Sequence, residues 1–161
     1  MLVLSDTHIP HRAKQLPQEV ISQAQSADAV IHAGDFTGPE TLGFFKGLPG
    51  QFFGVRGNMD GPEVSSALKD KMVFQLEGVR FGLAHGHGAP RGLVEKILPW
   101  FASDNIDVLI FGHSHKAVLE RRDGLLLVNP GSPTDTFFAR KRSYALLRVE
   151  DGRVEGELHY L

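Results

Sequence analysis

Cysteine is absent from all 161 residues, which excludes disulfides, thiolate metal sites and thiol nucleophiles together. Long hydrophobic runs are absent too: no apolar stretch approaches the roughly 18 residues that a membrane span needs. The opening MLVLSDTH lacks the basic start and extended apolar stretch of a secretory signal, so a cytoplasmic protein is expected. Net charge is also small, formally -2. No overall attraction to nucleic acid or anionic membrane follows, although a small total hides local patches. No repeat, low-complexity tract or linker breaks the chain. One domain over residues 1–161, long enough to bury a real core, is the economical reading.

What the chain does have is 18 glycines, nine prolines and eight histidines. The first two predict many tight turns and hence many short elements. Met1 to Ser5 reads as a strand, and Pro17 opens a helix with Val20, Ile21 and Ala24 on one face. Asp28 to Ala33 is a buried-looking strand, Pro39 starts a helix through Leu48, and Gln51 to Val55 is a third strand. This β-α-β-α-β order implies a parallel sheet. Beyond Gly61-Pro62 the character changes. Lys71 to Leu76 and Val79 to Ala84 flank a Glu77-Gly78 hairpin, and Arg91 to Ser103 is helical with Pro99 as a kink. Asp107 to Phe111, Lys116 to Arg122, Leu125 to Val128, Ser143 to Val149 and Arg153 to Tyr160 complete the strands. An α/β domain of two stacked sheets accounts for the whole pattern.

The strand ends carry the chemistry. In order they read Ser5-Asp6-Thr7-His8, Gly34-Asp35, Gly57-Asn58, His85-Gly86-His87 and Gly112-His113-Ser114-His115. Each motif alone is an ordinary loop, cap or turn. Their recurrence at one topological position is not ordinary, because the carboxyl ends of strands in an α/β sheet share the edge where ligands bind. Glycine beside nearly all of them lets the loops approach closely.

Two carboxylates, four imidazoles and one amide oxygen are too many for one ion. They suit two divalent metals about 3.5–4 Å apart with a shared carboxylate. Imidazole and carboxylate without sulfur favour Mn, Fe, Ni, Co or Zn over calcium. Two such cations outweigh two carboxylates and a bridging hydroxide, and the surplus positive charge attracts a phosphate ester.

These motifs, in this order and over nearly the whole chain, resemble the signature of the calcineurin-like metallophosphoesterases. The short length, His85-Gly86-His87 and Asn129-Pro130-Gly131-Ser132 look like its small bacterial and archaeal phosphodiesterase branch, related to the retromer subunit Vps29. The resemblance implies a four-layer α/β/β/α sandwich of two mixed sheets. It implies Asp6, His8 and His115 on one metal, Asn58, His85 and His113 on the other, and Asp35 between them. In extended chain the i, i+2 spacing of His113 and His115 spans roughly 6–7 Å, enough to straddle both. Catalysis would run through Asp35, Asn58 and His85 by way of the metals and their bridging hydroxide, with Mn the expected metal. Many relatives carry Gly-Asn-His where this chain has Gly57-Asn58-Met59, so the histidine thought to protonate the leaving group is missing.

The expected activity is that of a hydrolase acting on small phosphodiesters or cyclic nucleotides, best where the leaving group needs little protonation. His87, Asp60, Arg56 and His11, with Arg12 and Arg91, are candidates to contact phosphate or support the ligands from behind. Ser132 is expected to tighten a turn. The rival reading is a Vps29-like interaction scaffold using apolar surface at Phe137-Phe138 or Leu98-Pro99-Trp100-Phe101, although core packing is the expected fate of most of these. Strand edges permit a homodimer. Arg140-Lys141-Arg142 reads as a solvated loop, so sequence-specific nucleic-acid binding is not expected.

Overall fold

The computed structural model describes residues 1–161. Its elements are β1 (Leu2–Leu4), α1 (Gln18–Ser26), β2 (Ala29–His32), α2 (Pro39–Lys46), β3 (Gln51–Gly54), α3 (Pro62–Ala67), β4 (Lys71–Leu76), β5 (Val79–Ala84) and α4 (Leu93–Ile97). A 3-10 turn (Leu98–Phe101), β6 (Val108–Phe111), β7 (Val118–Arg122), β8 (Leu125–Asn129), β9 (Ser143–Glu150) and β10 (Arg153–Tyr160) follow.

The strands form two five-stranded sheets, β10-β9-β1-β2-β3 and β4-β5-β6-β8-β7. Both are mixed. In the first, β1, β2 and β3 run parallel while β9 joins β1 antiparallel. In the second, β5, β6 and β8 are parallel, and β4 and β7 cap the edges antiparallel.

Side-chain alternation explains the layering. Val3 points between the sheets with Ile31, Phe81, Ile110 and Val128. Its neighbours Leu2 and Leu4 point the other way, against Val20, Ala24, Phe45 and Val64 of the helices. Along β6, Val108 and Ile110 join the central core, whereas Leu109 and Phe111 meet Leu93, Ile97 and Phe101. Three cores separate four layers, giving the α/β/β/α sandwich. Strand β6 is apolar throughout, and β2 up to its terminal His32, because both of their faces are covered.

Two local expectations change. The helix over Arg91 to Ser103 shrinks to five residues of α4 and a 3-10 turn, because Pro99 lacks the N–H that would continue it. Helix α3 has no counterpart in the sequence reading; Pro62 at its first turn fits a helix start, but six residues are too few to show periodicity.

Candidate metal centre

The loops leaving β1, β2, β3, β5, β6 and β8 meet at one edge. Asp6, His8, Asp35, His85 and His115 are all buried there. Their ligand atoms form two tight groups, Asp6-His8-His115 and Asp6-Asp35-His85, each within 4.8 Å.

Each carboxylate is anchored by one oxygen and presents the other. Asp6 Oδ2 accepts from the Ser5 hydroxyl at 2.6 Å and the His113 N–H at 2.9 Å. Its Oδ1 faces His115 Nε2 at 3.2 Å and the Nε2 atoms of His8 and His85 at 3.8 Å. Asp35 Oδ1 accepts from the Met59 N–H at 2.7 Å. Its Oδ2 lies 3.2 Å from His85 Nε2 and 3.5 Å from His8 Nε2. Both carboxylates therefore touch rings that the resemblance assigns to different metals.

The rings are oriented from behind. His85 Nδ1 donates to the Ala33 carbonyl at 2.6 Å, and His115 Nδ1 donates to Asp135. In the neutral tautomer so fixed, Nε2 carries a lone pair aimed into the cluster. His8 Nε2 sits 3.2 Å from His115 Nε2. Asp6 Oδ1 and His85 Nε2 are buried with no hydrogen-bond partner, a costly arrangement for polar atoms. A donor set of carboxylate oxygens and imidazole lone pairs converging on such unpartnered atoms fits divalent transition metals.

Burial penalises the Asp6 carboxylate, but the neighbouring His85 and His115 rings, with the bond from the Ser5 hydroxyl, outweigh it and hold the group at about 2. Burial likewise pushes His85 down, but Asp6 and Asp35 more than reverse it and raise the ring to about 9. His115 is raised against burial by Asp6 and Asp135. His8 is lowered, burial outweighing the attraction of Asp35 and Asp6.

Backbone strain is concentrated here. Asp6, His8, Asp35, His113 and His115 all have positive φ, between 44° and 66°. Non-glycine residues in this left-handed region cost of order 1–3 kcal/mol each and collect at functional sites. The Gly112-His113-Ser114-His115 segment is therefore a tight turn, with the Ser114 N–H on the Gly112 carbonyl at 2.8 Å. It is not the extended stretch that its i, i+2 spacing implied, because the chain leaving β6 must reverse at the sheet edge.

Asn58 and His113 lie at the rim. His113 Nδ1 is 2.8 Å from Asn58 Oδ1 and its Nε2 is 2.6 Å from the Gly88 carbonyl. The ring lies 5.4 Å from that of His85, edge to face. They are thus brought together with each other, beside the buried five.

The supporting candidates divide. Asp60 accepts the N–H groups of Gly57, Thr37 and Asp35 at 2.7, 2.8 and 3.2 Å, tying the β2 and β3 loops together. Arg56, expected near phosphate, instead forks onto Asp70 at 2.6 and 2.8 Å. His87 is exposed and lies 5.9 Å from the Trp100 ring; His11 and Arg91 are exposed as well. Ser132 tightens its turn, accepting from the Asp135 N–H and donating to the Asp6 carbonyl. Phe101 is buried, but Phe137 and Phe138 are 80% and 61% exposed, against the expectation of core packing.

Two contributors were missed in the sequence. Asp135 follows β8, a sixth strand end at the same edge, so the signal was present but unused. His32 is buried, accepts the Gly34 N–H on Nδ1 and faces Thr7 Oγ1 with Nε2. It stacks on Phe36, and burial pushes it down to about 3. It braces the loops as a neutral ring.

The profile of the calcineurin-like phosphoesterase superfamily domain matches residues 1–152. A probable metallophosphoesterase of Methanothermobacter thermautotrophicus is 34% identical over 157 residues, covering 97% of this chain and 89% of its own. A phosphodiesterase of Methanocaldococcus jannaschii is 28% identical, with 80% of this chain and 81% of that one aligned. Among solved structures, wild-type Vps29 of Entamoeba histolytica complexed with zinc has a TM-score of 0.77 at 27% identity, over 99% of this chain and 97% of its own.

Proposed function

The chain belongs to the calcineurin-like phosphoesterase superfamily, and from that premise we propose that it is a metal-dependent phosphodiesterase with a dinuclear centre. The observation that carries this reading is the pair of buried, unpartnered atoms, Asp6 Oδ1 and His85 Nε2, among three further acid and imidazole groups. Asp6, His8 and His115 would hold one divalent ion and Asn58, His85 and His113 the other, with Asp35 shared. Manganese is the expected metal; Ni, Fe, Co and Zn suit the same donors. When bound, the pair supplies an acidified water as nucleophile and positive charge for the phosphate.

The chain's own residues do the rest. Asp135 and the Ala33 carbonyl hold the His115 and His85 rings with a lone pair inward. Ser5 and the N–H groups of His113 and Met59 fix one oxygen of each carboxylate, so the free oxygens need no reorganisation. Asp60 keeps the Asp35 and Asn58 loops in register. No proton donor stands at Met59, which is 54% exposed. Diesters with good leaving groups, such as aryl esters or strained cyclic nucleotides, should react best.

The scaffold reading is separated by turnover rather than by metal content, since a Vps29 also holds zinc. The deciding assay is manganese-loaded protein on bis(4-nitrophenyl) phosphate, a 2′,3′-cyclic nucleotide and 4-nitrophenyl phosphate. Diester turnover above monoester turnover, reduced to background in Asp35→Asn and His85→Ala, is the expected result. Metal binding without turnover of any ester would leave the scaffold.

A further inference from the structure

Several surface cations in this protein are neutralised by carboxylates. Arg56 pairs with Asp70, Lys71 with Asp104, Arg122 with Glu95 and Glu120, and Arg148 with Glu150. One place differs. A cleft of about 640 Å³ opens beside His115 and is lined by Lys116, Arg140 and Lys141 with Phe138 and Tyr160. It contains no carboxylate, and none of its three cations makes an ion pair. In a chain of net charge -2, three unpaired cations in one concavity form a local anion site that the total conceals.

The aromatic wall is held in place. The Phe137 N–H donates to Asp135 Oδ1 at 2.7 Å, and the Phe138 N–H reaches the same carboxylate at 3.3 Å. The Arg12 guanidinium lies 4.8 Å from the Phe138 ring centroid, and the His115 ring meets Phe138 edge-on at 5.8 Å. A large ring left 61% exposed but fixed at its backbone is a stacking surface. Tyr160, 55% exposed, carries Lys141 5.7 Å from its ring centroid. Aromatic faces interleaved with cations are the combination that single-stranded nucleic acid recognises, base on ring and phosphate on cation.

Resting on the phosphodiesterase reading above, we propose that this cleft is the subsite for the nucleotide unit next to the scissile phosphate. The substrate class is then a short oligonucleotide or dinucleotide diester with at least one further phosphate, which the cleft binds more tightly than an isolated cyclic nucleotide although its leaving group is poorer. His115 belongs to both the buried cluster and the cleft wall, so a diester phosphate at the cluster directs one substituent into the cleft. The neighbouring phosphate lies among Lys116, Arg140 and Lys141, and a base rests on Phe138. The volume suits one nucleotide unit and falls within the usual range of ligand pockets. Recognition uses charge and stacking alone, so sequence preference is weak.

The test compares the thymidine dinucleotide with a 5′-phosphate (pTpT) with its unphosphorylated form (TpT) and bis(4-nitrophenyl) phosphate. Wild type, Phe138→Ala and the triple Lys116→Gln, Arg140→Gln, Lys141→Gln variant are assayed with manganese. Wild type should prefer pTpT over TpT by about tenfold or more in kcat/KM, and the triple variant should lose that preference. In Phe138→Ala the kcat/KM ratio of TpT to bis(4-nitrophenyl) phosphate should fall by about tenfold. Fluorescently labelled pTpT binding, measured by polarisation, gives a readout that needs no turnover; it should weaken at least about tenfold in the triple variant. Equal binding of pTpT by wild type and the triple variant overturns the subsite, whatever the rates. Binding that depends on the cations with no ester hydrolysed would keep the subsite and defeat the phosphodiesterase reading instead.

Discussion

His115 Nδ1 donates its proton to Asp135 across a loop that sequence distance does not connect. That single bond selects the ring tautomer whose other nitrogen enters the cluster. In Asp135→Asn the amide nitrogen can replace Oδ2, and an N–H cannot accept from Nδ1. The ring then turns its Nε2–H toward Asp6. Metal affinity should fall by about 10–100-fold, read by titration with manganese or zinc, while Oδ1 still caps the Phe137 N–H and the fold persists. Unchanged affinity would remove Asp135 from the site.

The metal-free cluster should be pH-sensitive in a defined direction. His85 is raised to about 9, above its unfolded value, so its stabilising contribution is fully present below about 6.5. It is lost as pH rises through about 9. Asp6 is held at about 2, so its contribution is present above about 4 and lost as pH falls through about 2. Metal-stripped protein should therefore melt at a falling temperature between pH 6.5 and 9, and His85→Ala should flatten that slope. Metal competes with the His85 proton, so its apparent affinity should climb over the same interval. Calorimetry in two buffers of different ionisation enthalpy would count the proton released.

Gly112 is the residue at which the β6 turn passes closest to the β1 loop. A Cβ there would lie 1.9 Å from Ser5 Oγ and 2.9 Å from Asp6 Oδ2. Ser5 is the residue that anchors the outer oxygen of Asp6, so Gly112→Ala displaces that anchor. Destabilisation of about 1–3 kcal/mol is expected in chemical denaturation, together with weakened metal binding. Gly124, whose Cβ would meet nothing within 4 Å, is the control for inserting a methyl group at a glycine, although its φ of +87° adds strain of its own.

Met59 offers a gain-of-function test. Its backbone N–H already holds Asp35 Oδ1 at 2.7 Å, and its side chain is exposed at the position where the family resemblance leads one to expect a histidine. Met59→His should raise turnover of alkyl diesters relative to aryl diesters by roughly 100-fold, the lower end of the range for a positioned general acid. An unchanged alkyl-to-aryl ratio would mean that leaving-group protonation does not depend on this position.

The parts of the fold most legible in the sequence were those where one rule acted alone. Strand β6 is apolar at every position and β2 at all but His32 because both faces are covered, and Gly34 and Gly112 mark where their loops turn. Convergence of Asp6, His8, Asp35, His85 and His115 followed from counting strand ends. Asp135 is less legible because it stands six residues beyond Asn129, the last residue of β8, rather than at the strand end itself. Arg56 misled because a cation beside a ligand loop looks the same in sequence whether it faces phosphate or Asp70, fourteen residues on. Phe137 and Phe138 misled for the opposite reason: hydrophobicity predicts burial, whereas a carboxylate capping their backbone holds them in water. Helix α3 was too short for periodicity to register.

The left-handed backbone at five candidate metal ligands would set stability against function. Glycine relieves that conformation without penalty, so His8→Gly or Asp35→Gly discards a ligand while easing the loop that carried it. Such a variant of the metal-free protein should lose less thermal stability than burial of the deleted side chain would suggest. Selection for robustness alone would erode these positions; a sterically unwelcome conformation at each of them suits a site whose task is to hold cations.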